Sequence, residues 1–310
     1  MNVKDLLVGS TGFVGKNIAL NHNFYASCHS TDITNYYQSQ PELCIYAGIP
    51  SAMYLANKAP EKDLCVIKEA MKNIRQIRPK KLVLISTIAV YKDCKNKYEE
   101  DVELCDSLSA YGYNRLLLEQ WVRNEYEEAL IVRLPSLYGI GQKKNFLYDM
   151  HVLTPAMLEP SKYKELSKDN KIIARGYSYS RESGFYKLNG KIESKLLKDY
   201  FSSMPFNALN FTDSRSNFQF YNLSRLYNDI TLALKAKLRY LNLTPPPISA
   251  KEIYEAVSGK SGWENKLQTP PFDYDLRSHY STFFGGDNNG YLCTRDYVLK
   301  DICKFMNNWK

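Results

Sequence analysis

The sequence predicts an α/β protein built on a doubly wound parallel sheet, and three observations carry that prediction. Short apolar runs alternate with amphipathic helical stretches over about the first 140 residues. The run Lys81-Leu82-Val83-Leu84-Ile85-Ser86 is nearly all apolar, as a strand is when helices cover both faces of its sheet. Gly9, Gly12 and Gly15 stand at three-residue intervals where the first apolar run turns into the first helical stretch.

The elements follow in order. Val3 to Val8 reads as the first strand and Gly15 to about His22 as the first helix. Phe24 to Cys28 is the second strand, ending at His29-Ser30-Thr31-Asp32, and Leu43 to Gly48 is the third. Only the polar Asn35–Glu42 connection lies between these two, so a crossover helix there can only be vestigial. Pro60 to Ile77 has helical spacing, with Leu64, Ile67, Met71 and Ile74 on one face. Strand four follows at Lys81, a helix at Ala110–Glu125 and a strand at Ala129–Leu134. After Gly141 the character changes: residues 142–215 are polar, rich in Lys, Tyr, Ser and Asn, and show no repeating βα unit. Phe218–Leu223 resumes a strand, Ser224–Ala236 a helix and Arg239–Leu243 another strand. Ser249 with Glu252 has capping-box spacing, and Thr294 is placed to cap a last helix over Arg295–Asn307. The expected division is a sheet domain over 1–141, its sheet continued by 216–245, and a smaller interwoven substrate region over 142–215 and 246–310.

At 310 residues the chain can bury a sizeable core. No apolar run is long enough for a membrane span, and Met1-Asn2-Val3-Lys4-Asp5 lacks a signal-peptide pattern. Seven scattered cysteines without a C-x-x-C pair argue against a disulfide framework or a zinc site. His22, His29, His151 and His279 show no metal spacing either, so no metal is expected, and the expected location is cytoplasmic. The formal charge of +8 suits a lysine-rich solvated surface or attraction to an anionic substrate such as a nucleotide diphosphate. A concentrated basic block or nucleic-acid motif is missing, so nucleic acid is not an expected partner.

Glycines between a strand and a helix let the backbone turn tightly and approach a pyrophosphate, which the helix N-terminus then faces. Gly9, Thr11, Gly12, Phe13, Val14 and Gly15 are therefore candidate dinucleotide contacts. Two further segments add chemistry. Thr87 stands at the carboxyl end of strand four, where open α/β sheets hold their ligands. Tyr111 and Arg115, one helical turn apart, can converge on one point.

With these pieces in order, the chain resembles the extended short-chain dehydrogenase/reductase superfamily, in its NAD-dependent sugar epimerase/dehydratase group. The matching segments are Gly9-Ser10-Thr11-Gly12-Phe13-Val14-Gly15, Ser86-Thr87-Ile88-Ala89-Val90-Tyr91, Tyr111-Gly112-Tyr113-Asn114-Arg115 and Arg133-Leu134-Pro135-Ser136-Leu137-Tyr138-Gly139. The resemblance covers about the first 140 residues well, continues more weakly over Phe218–Ala256, and is poor over 142–215. It implies a Rossmann-like fold, a bound NAD or NADP and a nucleotide-sugar substrate. It also implies Tyr111 as acid/base, Thr87 on the reacting oxygen, and a homodimer through the helix bearing Tyr111. The family's lysine, four residues after the tyrosine, is Arg115 here. Arginine keeps the positive charge and can donate to ribose hydroxyls, but its planar fork is aimed differently. An asparagine that some members use early in the preceding helix has no counterpart over Pro60–Ile77; Asp63 and Cys65 lie near its place. Asp32 is the acid nearest the end of strand two and tilts the cofactor toward NAD, while His29 and Ser30 leave NADP open. Ile88 and Ala89 stand where dehydratases of the family carry an acidic pair, which favours an epimerase or a ketone reductase. The arginine leaves a second class open: a dinucleotide-binding sensor or partner-binding protein without turnover. Arg133 reads as structural, and Arg175, Arg181, Arg215, Arg225 and Arg277 form a pool of candidate diphosphate contacts.

Overall fold

Six parallel strands form the central sheet of the computed structural model, which describes residues 3–309. Met1 and Asn2, at the head of the segment read as lacking a signal peptide, and Lys310 lie outside the described residues. The strands are β1 (Asp5–Val8), β2 (Ala26–Cys28), β3 (Leu43–Tyr46), β4 (Leu82–Thr87), β5 (Leu130–Leu134) and β6 (Tyr240–Asn242). Their spatial order is β6-β5-β4-β3-β1-β2. Winding therefore reverses between β1 and β3, and the crevice at their carboxyl ends is the switch point where ligands of such sheets bind. The return from β2 to β3 is made by one short 3-10 turn, Ile33–Tyr36, in place of a crossover helix.

Alternation along each strand splits the apolar residues between two layers. Leu6, Val8, Cys44, Tyr46, Leu82, Leu84 and Ile131 share a core with Ile67 and Ile74 of one helix and Leu118 and Val122 of another. Those helices are Pro60–Ile77 and Ala110–Glu125. On the opposite face Leu7, Ile45, Val83, Leu130, Val132 and Leu241 pack with Ile18, Leu226 and Ile230. These last belong to the helices Phe13–Ala19 and Leu226–Lys235. Both faces are covered, which is why these strands read as continuous apolar runs. Phe220–Asn222, read as a strand, pairs in parallel with Ser136–Tyr138 outside the main sheet.

The chain divides into two compact units, one of residues 1–142, 217–248 and 273–305, the other of 143–216, 249–272 and 306–310. Of 246–310, expected in the smaller region, residues 246–248 and 273–305 group with the sheet. The reason is a buried attachment with no periodic signal: the Gln219 side chain accepts from Leu276 N and donates to Leu276 O, both at 2.8 Å. Phe284 and Leu292 join the same core as β5 and β6.

The second unit packs a three-stranded antiparallel sheet with short helices around Leu158, Leu166, Ile173, Tyr177, Leu197 and Phe201. The capping box at Ser249 and Glu252 forms as its spacing predicts. A cavity of about 410 Å³ in this unit is lined by Asp149, Met157, Leu158, Phe185, Phe206 and Phe211, among others. Burial pushes the Asp149 carboxyl up to about 7. A carboxyl raised on folding gives stability that is complete below its ordinary value and is lost as the pH rises to its folded value. Stability should thus decline between about pH 4 and pH 7. Asp149→Asn is expected to flatten that decline and to raise Tm at pH 8 while leaving Tm at pH 4 unchanged, as read by thermal scans at both pH values.

Candidate active site

Gly9 leaves β1 with a φ of +87°. Its N–H and that of Ser10 both donate to Cys28 O, at 2.7 and 3.1 Å, so the turn is strapped to the end of β2. A Cβ on Gly9 would lie 2.5 Å from Ala47 O, and one on Gly15 would lie 2.1 Å from Gly9 O. Both glycines are therefore required by the packing of strand, turn and helix. Gly12 differs: a Cβ there would meet only Gly9 O, at 3.3 Å, and the residue is exposed. Internal packing alone does not demand glycine at this position, whereas close approach of a pyrophosphate does. Gly15→Ala is thus expected to destabilise the protein by about 1–3 kcal/mol. Gly12→Ala should fold with little change in Tm yet lose dinucleotide affinity. Denaturation and calorimetry on the two variants separate the effects.

Thr11 is exposed, and Phe13 and Val14 are half-buried in the first turn of their helix. Asp32 stands just past β2, half-exposed, with one carboxylate oxygen accepting from His29 N at 2.8 Å.

Thr87 ends β4, two strands from β1 and so about 10 Å from the glycine turn. Its hydroxyl accepts from Ala89 N at 3.2 Å and starts the 3-10 turn Ile88–Val90. The helix Ala110–Glu125 docks directly on that turn: a Cβ on Gly112 would lie 2.0 Å from Ala89 O. Main chain against main chain is what brings Tyr111 to Thr87. Ser109 caps the helix by accepting from Gly112 N, and Asn57, from the short helix Met53–Lys58, accepts from Tyr111 N at 2.9 Å.

Tyr111 is 7% exposed. Burial raises its hydroxyl above the usual tyrosine range, against the Arg115 charge and hydrogen bonds from Thr87 and Arg115 that pull it down. Arg115 is 4% exposed, and its guanidinium carbon lies 3.8 Å from the centroid of the Tyr111 ring. One guanidinium nitrogen donates to Asp63, and the other donates to Pro50 O at 2.7 Å. Asn114 also donates to Asp63, at 2.9 Å. The Arg115 Nε is buried with no hydrogen-bond partner, a donor left over in a site that is otherwise satisfied.

The structure thus brings Thr87, Tyr111 and Arg115 together and sets Gly9, Gly12, Gly15 and Asp32 along neighbouring strand ends. The partners that the sequence does not single out are Asn57 and Pro50, on segments with no motif, and Asn114, inside the Tyr111–Arg115 segment but with no role assigned there. Asp63 had been noted only by its place. Of the arginine pool, Arg215, Arg225 and Arg277 are held by Asp213, Asp229 and Asp275, while Arg175 and Arg181 are exposed. Arg133 is fully buried against Glu119 and is structural, as read. His279, Glu99 and Glu100 approach one another, but the Glu99 carboxylate already accepts from Ser278, Asn242 N and His279 N. Among the described residues, no helix is long and apolar enough to cross a membrane.

Comparisons with known proteins bear on the fold. A dTDP-4-dehydrorhamnose reductase from Bacillus anthracis, solved in complex with NADP, superposes with a TM-score of 0.62 at 15% identity, over 99% of this chain and 98% of that one. The corresponding reductase from Clostridium acetobutylicum gives 0.61 at 15% identity, over 98% of each chain. A UDP-glucuronic acid 4-epimerase from Bacillus cereus, in complex with a fluorinated UDP-sugar and NAD, gives 0.58 at 15% identity, over 99% and 100%. At such identity these likenesses speak for the fold. No curated protein sequence matches the chain. Residues 5–159 match the RmlD substrate binding domain, half of the chain. By that match the chain belongs to the RmlD substrate-binding-domain family within the extended short-chain dehydrogenase/reductase superfamily.

Proposed function

We propose that this protein is an NAD(P)-dependent oxidoreductase acting on a nucleotide sugar, with the reduction of a keto group favoured over epimerisation. The observation that carries the reading is the docking of Gly112 on Ala89, which sets the Tyr111 hydroxyl beside Thr87 at a strand end. The dinucleotide fits the residues present. The Gly9–Gly15 turn offers a cradle that a side chain at Gly12 would narrow, and the unpartnered Arg115 Nε is a buried donor for a ribose hydroxyl. Asp32 would accept from the adenosine ribose, which favours NAD over NADP. When bound, the reduced nicotinamide supplies a hydride. Tyr111 would give its proton to the reacting oxygen, and Thr87 would hold that oxygen. The similar structures that are named as dTDP-4-dehydrorhamnose reductases support the keto-sugar class.

One observation favours a second reading, binding without turnover: the guanidinium that replaces the family's lysine is already engaged by Asp63 and Pro50. Calorimetry with NADH and NADPH, followed by turnover of a panel of nucleotide 4-keto sugars, tests both. Binding with turnover is expected. Binding without turnover selects the second reading, and no binding of either dinucleotide removes both.

A further inference from the structure

Arg115 is not alone in departing from the lysine pattern. Its departure is matched on a neighbouring helix, where Asp63 forms a buried ion pair with it; the two side chains are 5% and 10% exposed. A guanidinium in that position without an anion would be costly, because a lone buried charge loses its hydration. Asp63 removes that cost and also fixes direction. One nitrogen of the fork is drawn to the carboxylate and to Tyr111 O, and the other to Pro50 O, which leaves the plane lying across the Tyr111 ring. Asn114 donates to the same carboxylate and holds it in turn.

We propose that Asp63 is a positioning residue: its carboxylate aligns Arg115 across the Tyr111 ring and balances its charge, so that Tyr111 keeps its proton and serves as a proton donor. This rests on the reductase reading and sharpens it. In the step this serves, the keto carbon gains a hydride and the carbon–oxygen π pair moves to oxygen, which takes the Tyr111 proton. The ketone is reduced to an alcohol, the bound nicotinamide is oxidised, and the tyrosinate regains its proton from water. A donor must begin protonated, whereas the reverse oxidation needs tyrosinate at the start. The charged groups that reach the Tyr111 hydroxyl are Arg115, from its own helix, and Asp63, from the adjacent one; Thr87 contributes a neutral hydrogen bond from the strand.

The test needs no turnover. The Tyr111 titration is followed in the dinucleotide-free protein by NMR of 13Cζ-labelled tyrosine, assigned by the resonance lost in Tyr111→Phe. Wild type should titrate above the ordinary tyrosine value. Asp63→Asn leaves the Arg115 charge unbalanced and should lower the Tyr111 midpoint by about one pH unit or more. An unchanged midpoint, or a wild-type midpoint below the ordinary value, overturns the proposal. Should Asp63→Asn not fold with an unpaired guanidinium, Asp63→Asn/Arg115→Met provides the second arm, because it removes both charges. If the two charges balance, this double variant moves the midpoint by less than about one pH unit. A rise of about two or more, the full effect of losing an unopposed cation, overturns the proposal. In turnover, Asp63→Asn should shift the alkaline limb of the kcat profile for reduction to lower pH with KM unchanged, which a purely structural role would not do. Failure of the reductase reading would show as no turnover in wild type with the titrations intact.

Discussion

Tyr111→Phe is expected to lower kcat for keto-sugar reduction by about 10²–10⁴-fold, the usual contribution of a positioned general acid. The dinucleotide Kd should be unchanged, since the ring and its stacking against Arg115 are retained. The cost in stability should stay near that of one hydrogen bond, about 0.5–1.5 kcal/mol, because the hydroxyl is the one polar group the change removes. Steady-state kinetics with calorimetry on the same preparation distinguishes this from misfolding. Equal kcat in the two proteins would remove Tyr111 from the reaction.

The largest effect on stability is expected at Arg133, which is fully buried at the centre of a polar network. Its guanidinium grips the Glu119 carboxylate at 2.7 to 3.1 Å and donates to the Tyr91 hydroxyl at 2.8 Å and Glu99 O at 2.6 Å. Ser86 donates to the same Glu119 carboxylate, and Tyr91 donates to Asn242 at 2.9 Å. Glu119 lies about two turns after Tyr111 on the same helix, so this network ties the reactive helix to β4 and β5. Arg133→Met leaves Glu119 charged and unpaired, and a loss of about 3–5 kcal/mol is expected in urea denaturation. Arg133→Met/Glu119→Leu should recover most of it. If the double variant is no more stable than the single one, the cost lies in packing and not in the stranded charge.

The sheet was legible because its signals are local. Alternation within Leu6–Val8, Leu82–Leu84 and Leu130–Val132 fixes which residue faces which layer, and the glycine spacing fixes the first turn. Thr87, Tyr111 and Arg115 were legible as a spacing. What the sequence could not display was Arg115's partner. Asp63 is one of two acids in the first turn of its helix, and nothing local distinguishes it from Glu61 until the two helices pack. The same holds for Asn57, on a helix of six residues too short for a periodic pattern. Residues 273–305 escaped for a related reason. Their place depends on Gln219 binding both backbone groups of Leu276, a contact across 57 positions that leaves no periodicity behind.

The contact between Gly112 and Ala89 has a consequence for how this site can diverge. The tyrosine's position is inherited from the main chain, through a fit that admits no side chain at all. The charged residues around it are thus free to change as a set without moving the hydroxyl they tune. Exchanging a lysine for an arginine, with an acid recruited opposite, alters the acidity of the site and leaves its geometry in place. Relatives of this chain with other charge pairs at these two positions would form a natural series, graded in proton affinity on one fixed scaffold.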